Sequence, residues 1–240
     1  MPKPFETWTV LPHGKLTQLD DNLLSVTGEL HMPLGDYPRR MTVARLLDGR
    51  LVIYSAIALD EAEMRALENF GTPSYLVVPG DLHRLDAKIW KQRYSDITVL
   101  APAGIRNKVE EIVPVDATSV TFNDPRAHFV VVPGTQEKEA ALLLRSDSGS
   151  TLVINDLIWN LNDRPGFGGW LMHALGFTGE NPNIPPVVKL RAVKDRRALA
   201  QQLEAWARIP DLKRIIVSHG AIVTRDPEIV LDRLARDLAA

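Results

Sequence analysis

The sequence predicts a mixed α/β protein in which a buried sheet is covered by helices. Short apolar runs of strand type alternate with segments whose apolar residues recur at helical spacing. Several of the apolar runs end in a turn that contains proline or glycine. Because alternating strands and helices bury their apolar faces against each other, this order is typical of layered α/β folds.

The first half of the chain reads strand, helix, strand, helix, strand. Residues 41–55 predict a hairpin around the turn Asp48-Gly49. The next helix begins after Asp60, has Glu63 in the position of a capping box, and ends at Gly71 with a left-handed cap. The remaining predicted elements are a strand at residues 74–78, a helix over residues 82–91 and a strand at residues 97–100.

The second half opens with an antiparallel meander at residues 129–132, 139–145 and 151–156. Residues 160–186, rich in glycine, proline and asparagine, predict a loop or lid with one short helix. A helix then ends near Pro210, a last strand stops at His219, and Asp226-Pro227 caps a terminal helix. Because no internal repeat or long linker is visible, we predict one domain over residues 1–240, with the insertion or lid at about 160–186.

The 240-residue chain has an ordinary globular composition, with 45% hydrophobic residues, 24% charged residues and a formal net charge of −2. This balance excludes a disordered chain and argues against binding to a nucleic-acid backbone. Cysteine is absent, which excludes disulfides, thiolate metal sites and cysteine nucleophiles. The first residues lack the apolar core of a secretory signal, and no apolar run is long enough to span a bilayer. We therefore expect a cytoplasmic protein without nucleic-acid or membrane partners, while a small-molecule ligand and a homodimer stay open.

Polar side chains follow three of the predicted apolar strands. Asp81 and His83 come after the predicted strand at residues 74–78. Asp156 ends the last strand of the meander, and His219 ends the final strand. In layered α/β folds such strand ends often carry the chemistry. Aspartate and neutral histidine are ligands for a divalent metal that activates water. Each residue alone is explained as readily by a turn or cap, and only their joint occurrence favours a site.

Four stretches of the chain, in this order, resemble one known superfamily. They are Arg40-Met-Thr-Val with Asp48-Gly-Arg-Leu-Val-Ile-Tyr-Ser55, Pro79-Gly-Asp-Leu-His83-Arg-Leu, Thr151-Leu-Val-Ile-Asn-Asp156-Leu and Ile215-Ile-Val-Ser-His219-Gly. The ordered set resembles the metallo-β-lactamase superfamily over roughly residues 20–221, and within it a divergent branch described only as a domain of unknown function. The resemblance implies a four-layer αββα sandwich of two similar halves, with a hydrolytic site at one edge between the sheets.

The ligand motifs of that superfamily are only partly present. Active members carry His-x-His-x-Asp-His where this chain has Pro79-Gly-Asp-Leu-His-Arg84. They also carry a Pro-Gly-His turn where this chain has Pro133-Gly134-Thr135. The first metal position implied by the resemblance therefore keeps Asp81 and the bridging Asp156 and loses its histidines.

The second metal position keeps three candidate ligands, His83 in place of an aspartate, the bridging Asp156 and the final His219. Beside them Arg84 replaces a histidine with a permanent positive charge, which at ~4 Å repels a divalent ion and attracts Asp156. The resemblance therefore implies at most one divalent metal (zinc, iron or manganese) or none. Asp81 is a candidate fourth ligand or catalytic base, and Arg84 a candidate catalytic residue that holds a negative substrate group or an oxyanion.

Other polar residues are weaker candidates. Arg40 and Ser55, both in the predicted hairpin, are interpreted as structural hydrogen-bonding groups. Glu137 and Glu139 could aim a carboxylate into the cleft, but we expect both to be exposed. His173, within the insertion, is a candidate lid residue.

The insertion and its approach are aromatic, with Trp159, Phe167, Trp170 and Phe177. These side chains are open to three interpretations, as core, as a substrate lid and as a dimer contact. The sequence has no Gly-x-Ser-x-Gly nucleophile elbow and no phosphate-binding glycine loop.

Two hypotheses about function follow. In the first, the protein is a hydrolase that binds one metal through His83, Asp156 and His219, and the metal activates water for attack on a carbonyl or phosphoryl centre. In the second, it is a metal-free, non-catalytic protein in which Arg84 neutralises the acidic cluster by pairing with Asp156, and the cleft binds a ligand or partner. The sequence does not choose among lactam, lactone, thioester and phosphodiester substrates.

Overall fold

Two β-sheets stack face to face in the computed structural model, which describes residues 3–32 and 35–239. The first sheet has six strands in chain order: β1 (Thr17–Asp20), β2 (Leu23–Met32), β3 (Gly35–Arg45), β4 (Arg50–Tyr54), β5 (Thr72–Val77) and β6 (Thr98–Leu100). Strands β1 to β4 pair antiparallel, whereas β4, β5 and β6 pair parallel. The second sheet has the order β10-β9-β8-β7, with β7 (Ala127–Val131), β8 (Ala140–Ser146), β9 (Gly149–Asn160) and β10 (Leu212–Gly220).

Seven α-helices lie in the described part of the chain. They are α1 (Glu61–Phe70), α2 (Ala87–Arg93), α3 (Arg106–Glu110), α4 (Gly166–Ala174), α5 (Pro186–Ala192), α6 (Arg196–Ala207) and α7 (Pro227–Ala239). A single 3₁₀ turn (Ala103–Ile105) precedes α3. None of these helices is long and apolar enough to cross a bilayer.

Three buried apolar clusters hold the layers together. Tyr54 of the first sheet and Leu142 of the second belong to the cluster between the sheets. On the outer side of the first sheet, Met64 of α1 joins a second cluster, and on the outer side of the second sheet Leu203 of α6 and Leu231 of α7 join a third. Each such side chain contributes roughly 1.5–3 kcal/mol when it leaves water. The layers run helix, sheet, sheet, helix, so the prediction of an αββα sandwich is confirmed.

A buried arginine joins the two sheets where β3 approaches β10. The guanidinium of Arg40 donates to the carbonyl oxygens of Val217 at 3.1 Å and Gly220 at 2.7 Å, and to the hydroxyl of Ser25 at 3.1 Å. These bonds satisfy a charge that would otherwise be costly to bury. Arg40 therefore has the structural role that the sequence analysis assigned to it, and it fixes the end of β10 against β3.

The cap residues of α1 behave differently from the sequence prediction. Asp60 caps the helix as predicted, but the Glu63 carboxylate accepts a hydrogen bond of 2.7 Å from the backbone N–H of Leu16 and does not complete a capping box. Gly71 ends the helix in an extended conformation, with φ of 170°, so the predicted left-handed cap is wrong. A glycine is needed there because a Cβ atom would lie 2.4 Å from the carbonyl oxygen of Gly49.

The helix predicted over residues 82–91 begins only at Ala87. The preceding residues form a loop, which is tied down by the buried side chain of Asp86. That carboxylate forms an ion pair with Arg39 and accepts a backbone hydrogen bond of 2.9 Å. The loop matters because it carries His83. The predicted hairpin and the predicted meander are both confirmed, as β3–β4 and as β7–β8–β9.

Candidate metal centre

Three predicted ligands meet at one edge of the sandwich. His83 lies in the loop after β5, Asp156 in β9 and His219 near the end of β10. The Nε2 atoms of His83 and His219 lie 2.9 Å and 3.0 Å from the same carboxylate oxygen, Oδ1 of Asp156. Among the described residues, these three form a group whose ligand atoms all lie within 4.8 Å of one another.

An irregularity in the pairing of β9 with β10 places Asp156 at this edge. Val217 pairs with Ile154, whereas the next paired residue, His219, lies opposite Trp159, so β9 carries extra residues between the two pairs. Such bulges redirect side chains beside functional sites. Asp156 lies within the bulge, and its backbone carbonyl accepts a hydrogen bond of 2.8 Å from the indole N–H of Trp159.

His219 has a defined tautomer because of its backbone partner. Its Nδ1 lies 2.7 Å from the carbonyl oxygen of Pro38, and since a carbonyl can only accept, Nδ1 carries a proton. The indole of Trp159 stacks on the imidazole ring at 4.2 Å between centroids and holds its plane. A neutral ring then presents a lone pair at Nε2 toward the Asp156 carboxylate. Two lone pairs at 3.0 Å require a cation or a second ring proton between them.

His83 is held by a serine in a strained backbone conformation. The Ser55 hydroxyl lies 2.7 Å from Nδ1 of His83. Ser55 has a φ of +56°, in the left-handed region that a residue with a side chain rarely adopts. The hydroxyl can accept a hydrogen bond from the N–H at Nδ1, which leaves Nε2 free as a metal ligand. Ser55 was interpreted as structural, and its contact shows that it orients a ligand side chain directly.

The carboxylate at the centre of the group is buried and ionised. Burial alone would raise the pKa of Asp156, but the positive charge and the hydrogen bonds that His83 and His219 supply when they are protonated outweigh it. Together they hold the pKa of this carboxyl well below its usual range. Asp156 therefore supplies a permanent negative charge at neutral pH.

A second buried carboxyl lies close to the group, at Glu139. It accepts a hydrogen bond of 3.1 Å from the side-chain amide of Asn155, which in turn accepts one of 2.9 Å from the hydroxyl of Ser218. Burial, followed by the negative charge of Asp156, raises the pKa of Glu139 well above its usual value. The expectation that Glu139 is exposed was therefore wrong, whereas Glu137 is exposed as expected.

A cavity of about 640 Å³ opens beside the three ligands. This volume lies within the range of small-molecule sites. Its apolar wall includes Leu30, Leu82, Ile105, Phe177 and Val187. Its charged lining includes Asp81, Arg84, Lys108, Lys138, Glu139 and Arg191. Such a lining can hold an organic molecule that has an apolar body and an anionic group.

Solved structures similar to this chain include metallo-β-lactamases. FIM-1 from Pseudomonas aeruginosa, in its mono-zinc form, is similar with a TM-score of 0.63 and 15% identity over 95% of this chain and 96% of the other. The chain is also similar to DIM-1 exposed to ceftazidime (TM-score 0.63, 16% identity, 97% and 100% covered) and to an enzyme from Hirschia baltica (0.61, 12%, 93% and 98%). The chain has the metallo-β-lactamase fold. No family model and no curated protein matches the sequence.

Two residues that stand at metal-ligand positions of the superfamily, Thr135 and Asp81, do not join the three candidate ligands. At the position of the missing histidine, the buried Thr135 donates its hydroxyl to the carbonyl oxygen of Val132 at 2.7 Å and closes its own turn. Asp81 lies on the cavity wall and pairs with Arg191 of α5 at 2.7 Å. Neither side chain belongs to the three-ligand group found in the described part of the chain.

The other predicted catalytic residue, Arg84, does not reach Asp156. Its guanidinium donates to the carboxylate of Glu111 at 2.9 Å and to the backbone carbonyl of Lys108, beside α3. The predicted ion pair between Arg84 and Asp156 is therefore wrong. The physical reason is that Asp156 is already paired with two histidines inside the fold, whereas Glu111 is half exposed and can be paired with less loss of hydration.

The aromatic residues of the insertion separate into two groups. Trp159 and Phe177 pack against each other at 4.6 Å between centroids and line the cavity, so they belong to its wall. Phe167 and Trp170 are exposed on α4. His173, the predicted lid residue, is exposed and pairs with Asp163 at 2.8 Å. No sequence signal pointed to the stacking of Trp159 on a ligand histidine.

Proposed function

We propose that this protein is a hydrolase that holds one divalent metal through His83, Asp156 and His219 and acts on a small molecule in the adjoining cavity. One observation carries the proposal. The carbonyl of Pro38 fixes the proton of His219 on Nδ1, and Nε2 then faces an ionised carboxylate oxygen at 3.0 Å. A divalent cation satisfies both groups at once.

The dimensions and chemistry of the group fit such an ion. Zinc bonds of about 2.0–2.1 Å in tetrahedral geometry separate two ligand atoms by roughly 3.3 Å. The observed separations of 2.9 Å and 3.0 Å from Asp156 are a few tenths of an ångström shorter, so the ligands need to open only slightly. Three protein ligands with one open position are typical of a catalytic metal, while structural sites have four. The mono-zinc form of FIM-1 shows the same fold with one zinc.

The side chains around the group have separable roles. A bound ion would act as a Lewis acid and supply an activated water for hydrolysis. Ser55 and the carbonyl of Pro38 orient the two histidines, and Trp159 shields one face of His219. Glu139 lines the cavity, and burial raises the pKa of its carboxyl, which favours the protonated form that can give a proton to a leaving group.

The alternative, a metal-free binding protein, depended on a salt bridge that neutralises the acidic cluster. Arg84 pairs with Glu111 instead, so a metal-free protein would have to neutralise Asp156 through His83 and His219, with a second ring proton on a histidine. It stays as the outcome that a negative metal experiment would favour.

Elemental analysis of protein purified without a chelator or a histidine tag tests the proposal. We expect about one equivalent of zinc, iron or manganese, lost in His83→Ala and in His219→Ala. His173→Ala is the matched control, since His173 is exposed outside the group, and it should keep the metal. Absence of metal in the wild type after incubation with excess ions would overturn the proposal. If metal is present, esters, lactones, thioesters and phosphodiesters are the substrates to screen.

A further inference from the structure

Exposed apolar side chains are concentrated on α4 and α5. Of nine large exposed hydrophobic residues in the described chain, five lie between residues 167 and 190. They are Phe167, Trp170, Leu175, Val187 and Leu190, and we name them the α4–α5 patch. Leu190 is 79% exposed, Phe167 74% and Trp170 62%. Scattered exposed residues are ordinary, but a concentration of this kind marks a surface that binds something.

The patch is continuous with the mouth of the cavity. The rings of Phe167 and Trp170 stack at 5.8 Å on one face of α4. The end of α4 meets the start of α5, since a Cβ atom on Gly176 would lie 2.6 Å from the ring of Pro186. Val187 is both exposed and part of the cavity wall. The patch therefore meets the wall of the cavity at Val187.

The segment that carries the patch has an excess of basic residues. Residues 161–197 contain six Lys or Arg and three Asp or Glu, so this segment has a net charge of +3 although the whole chain has −2. The ammonium of Lys194 lies 3.3 Å from the carbonyl oxygen of Leu190, within the patch. Asp163 pairs with His173 and Asp195 caps α6, and among the basic residues Arg191 pairs with Asp81 outside this segment.

We propose that the α4–α5 patch docks on an anionic lipid surface and presents the cavity mouth to it. Exposed aromatic and aliphatic side chains flanked by lysine and arginine are the composition of helices that lie in a membrane interface. A second copy of the chain fits less well, because a symmetric contact would place two segments of charge +3 against each other. No membrane partner was expected from the sequence, because no segment spans a bilayer, but surface docking needs no such segment. The proposal does not depend on metal binding.

Vesicle co-sedimentation of the full chain tests the docking. Vesicles of phosphatidylcholine with about one quarter phosphatidylserine should bind the protein, and vesicles of phosphatidylcholine alone should bind it far less. Binding to the anionic vesicles should weaken as salt is raised. Trp170 is well exposed, Trp8 is partly buried, and Trp90, Trp159 and Trp206 are buried, so brominated acyl chains should quench fluorescence in the wild type and the quenching should be lost in Trp170→Ser. Equal binding to both vesicles, or to neither, would overturn the proposal.

Surface variants test whether vesicle binding depends on the α4–α5 patch or on exposed residues elsewhere. Phe167→Ser combined with Trp170→Ser should abolish binding to the anionic vesicles. Leu47→Ser removes an equally exposed leucine from the hairpin between β3 and β4 and should leave binding unchanged. Lys194→Glu should weaken binding by at least about fivefold, since one cation near such a surface contributes about that factor. Arg65→Glu on α1, which covers the other sheet, is its control.

Two further readouts keep the outcomes distinct. Circular dichroism and the metal content of each variant should match the wild type, which shows that lost docking is neither unfolding nor loss of the metal centre. Sedimentation equilibrium without lipid should show no dimer. A dimer that disappears in the Phe167→Ser, Trp170→Ser variant would assign the patch to a second copy and overturn the proposal.

Discussion

Two sets of polar side chains, which we name the ligand corner and the closed corner, stand at positions that correspond to metal ligands in the superfamily and have different partners. In the ligand corner, His83 and His219 direct Nε2 at the carboxylate of Asp156. In the closed corner, Thr135 bonds to the backbone of its own turn and Asp81 pairs with Arg191. The first set shares one centre, whereas each member of the second set has a partner of its own.

The difference shows what loss of a metal ligand does to a fold. A buried hydroxyl such as that of Thr135 needs another hydrogen-bond partner when it has no ligand role, because an unsatisfied buried group destabilises the protein, whereas the carboxylate of Asp81 is partly exposed to water. In the closed corner, Thr135 is bonded to the carbonyl of Val132 and Asp81 is paired with Arg191, so neither side chain needs an ion as a partner. In the ligand corner, Pro38 orients His219 and Ser55 orients His83, so that both Nε2 atoms face the same carboxylate oxygen of Asp156.

The largest effect is expected from Asp156→Asn in the ligand corner. The amide keeps the shape but loses the charge that both histidines face, so metal affinity should fall by more than about a hundredfold. Elemental analysis after dialysis against limiting zinc measures this. Asp81→Asn removes a carboxylate from the closed corner and should keep the full metal content. Equal loss in both variants would show that the overall charge of the cleft, and no particular group, holds the ion.

A smaller loss is expected from Ser55→Ala. Without the hydroxyl, Nδ1 of His83 loses its partner and the ring is free to turn, so metal affinity should fall by about 10- to 100-fold. Competition with a zinc-binding dye gives the affinity. Ser95→Ala, at an exposed position, is the matched control. An affinity unchanged in Ser55→Ala would mean that packing alone orients His83.

The parts of this comparison that the sequence could predict are those with local signals. Strand periodicity and turn residues located the sheets, and polar residues at strand ends pointed to His83, Asp156 and His219. The partners of these residues could not be predicted in the same way. The bond between His219 and Pro38 joins positions 181 residues apart. The burial of Glu139 likewise depends on the packing of β8 against β9.

The raised pKa of Glu139 predicts how the stability of the fold depends on pH. Its pKa is raised in the folded protein, so the folded state holds a proton that the unfolded state releases above about pH 4.3. The free energy of unfolding should therefore fall as the pH rises from that value toward neutrality. Glu139→Gln can keep the bond from Asn155 and should remove this decline, as denaturant titrations across the range would show. A decline of equal slope in the variant would assign it to other carboxyl groups.

A substitution in the closed corner should lower the stability of the fold without affecting the metal. Thr135→Ala leaves the carbonyl of Val132 without its partner, so the free energy of unfolding should fall by about 1–2 kcal/mol. Metal content should not change, and Thr135→Ser, which keeps the hydroxyl, should restore most of the loss. Denaturant unfolding with parallel elemental analysis measures both. Loss of metal in Thr135→Ala would contradict the separation of the two corners.

The smallest effect is expected from Arg84→Ala. The pair of Arg84 with Glu111 lies at the surface, and such pairs contribute about 0–1 kcal/mol to stability. Arg39→Ala provides the contrast, because Arg39 forms a buried pair with Asp86, and breaking a buried pair costs about 3–5 kcal/mol. If Arg84 neutralised Asp156 instead, its removal would leave a buried charge unpaired and the two variants would be similarly unstable. Comparison of their free energies of unfolding therefore decides whether Asp156 depends on an arginine or on its two histidines.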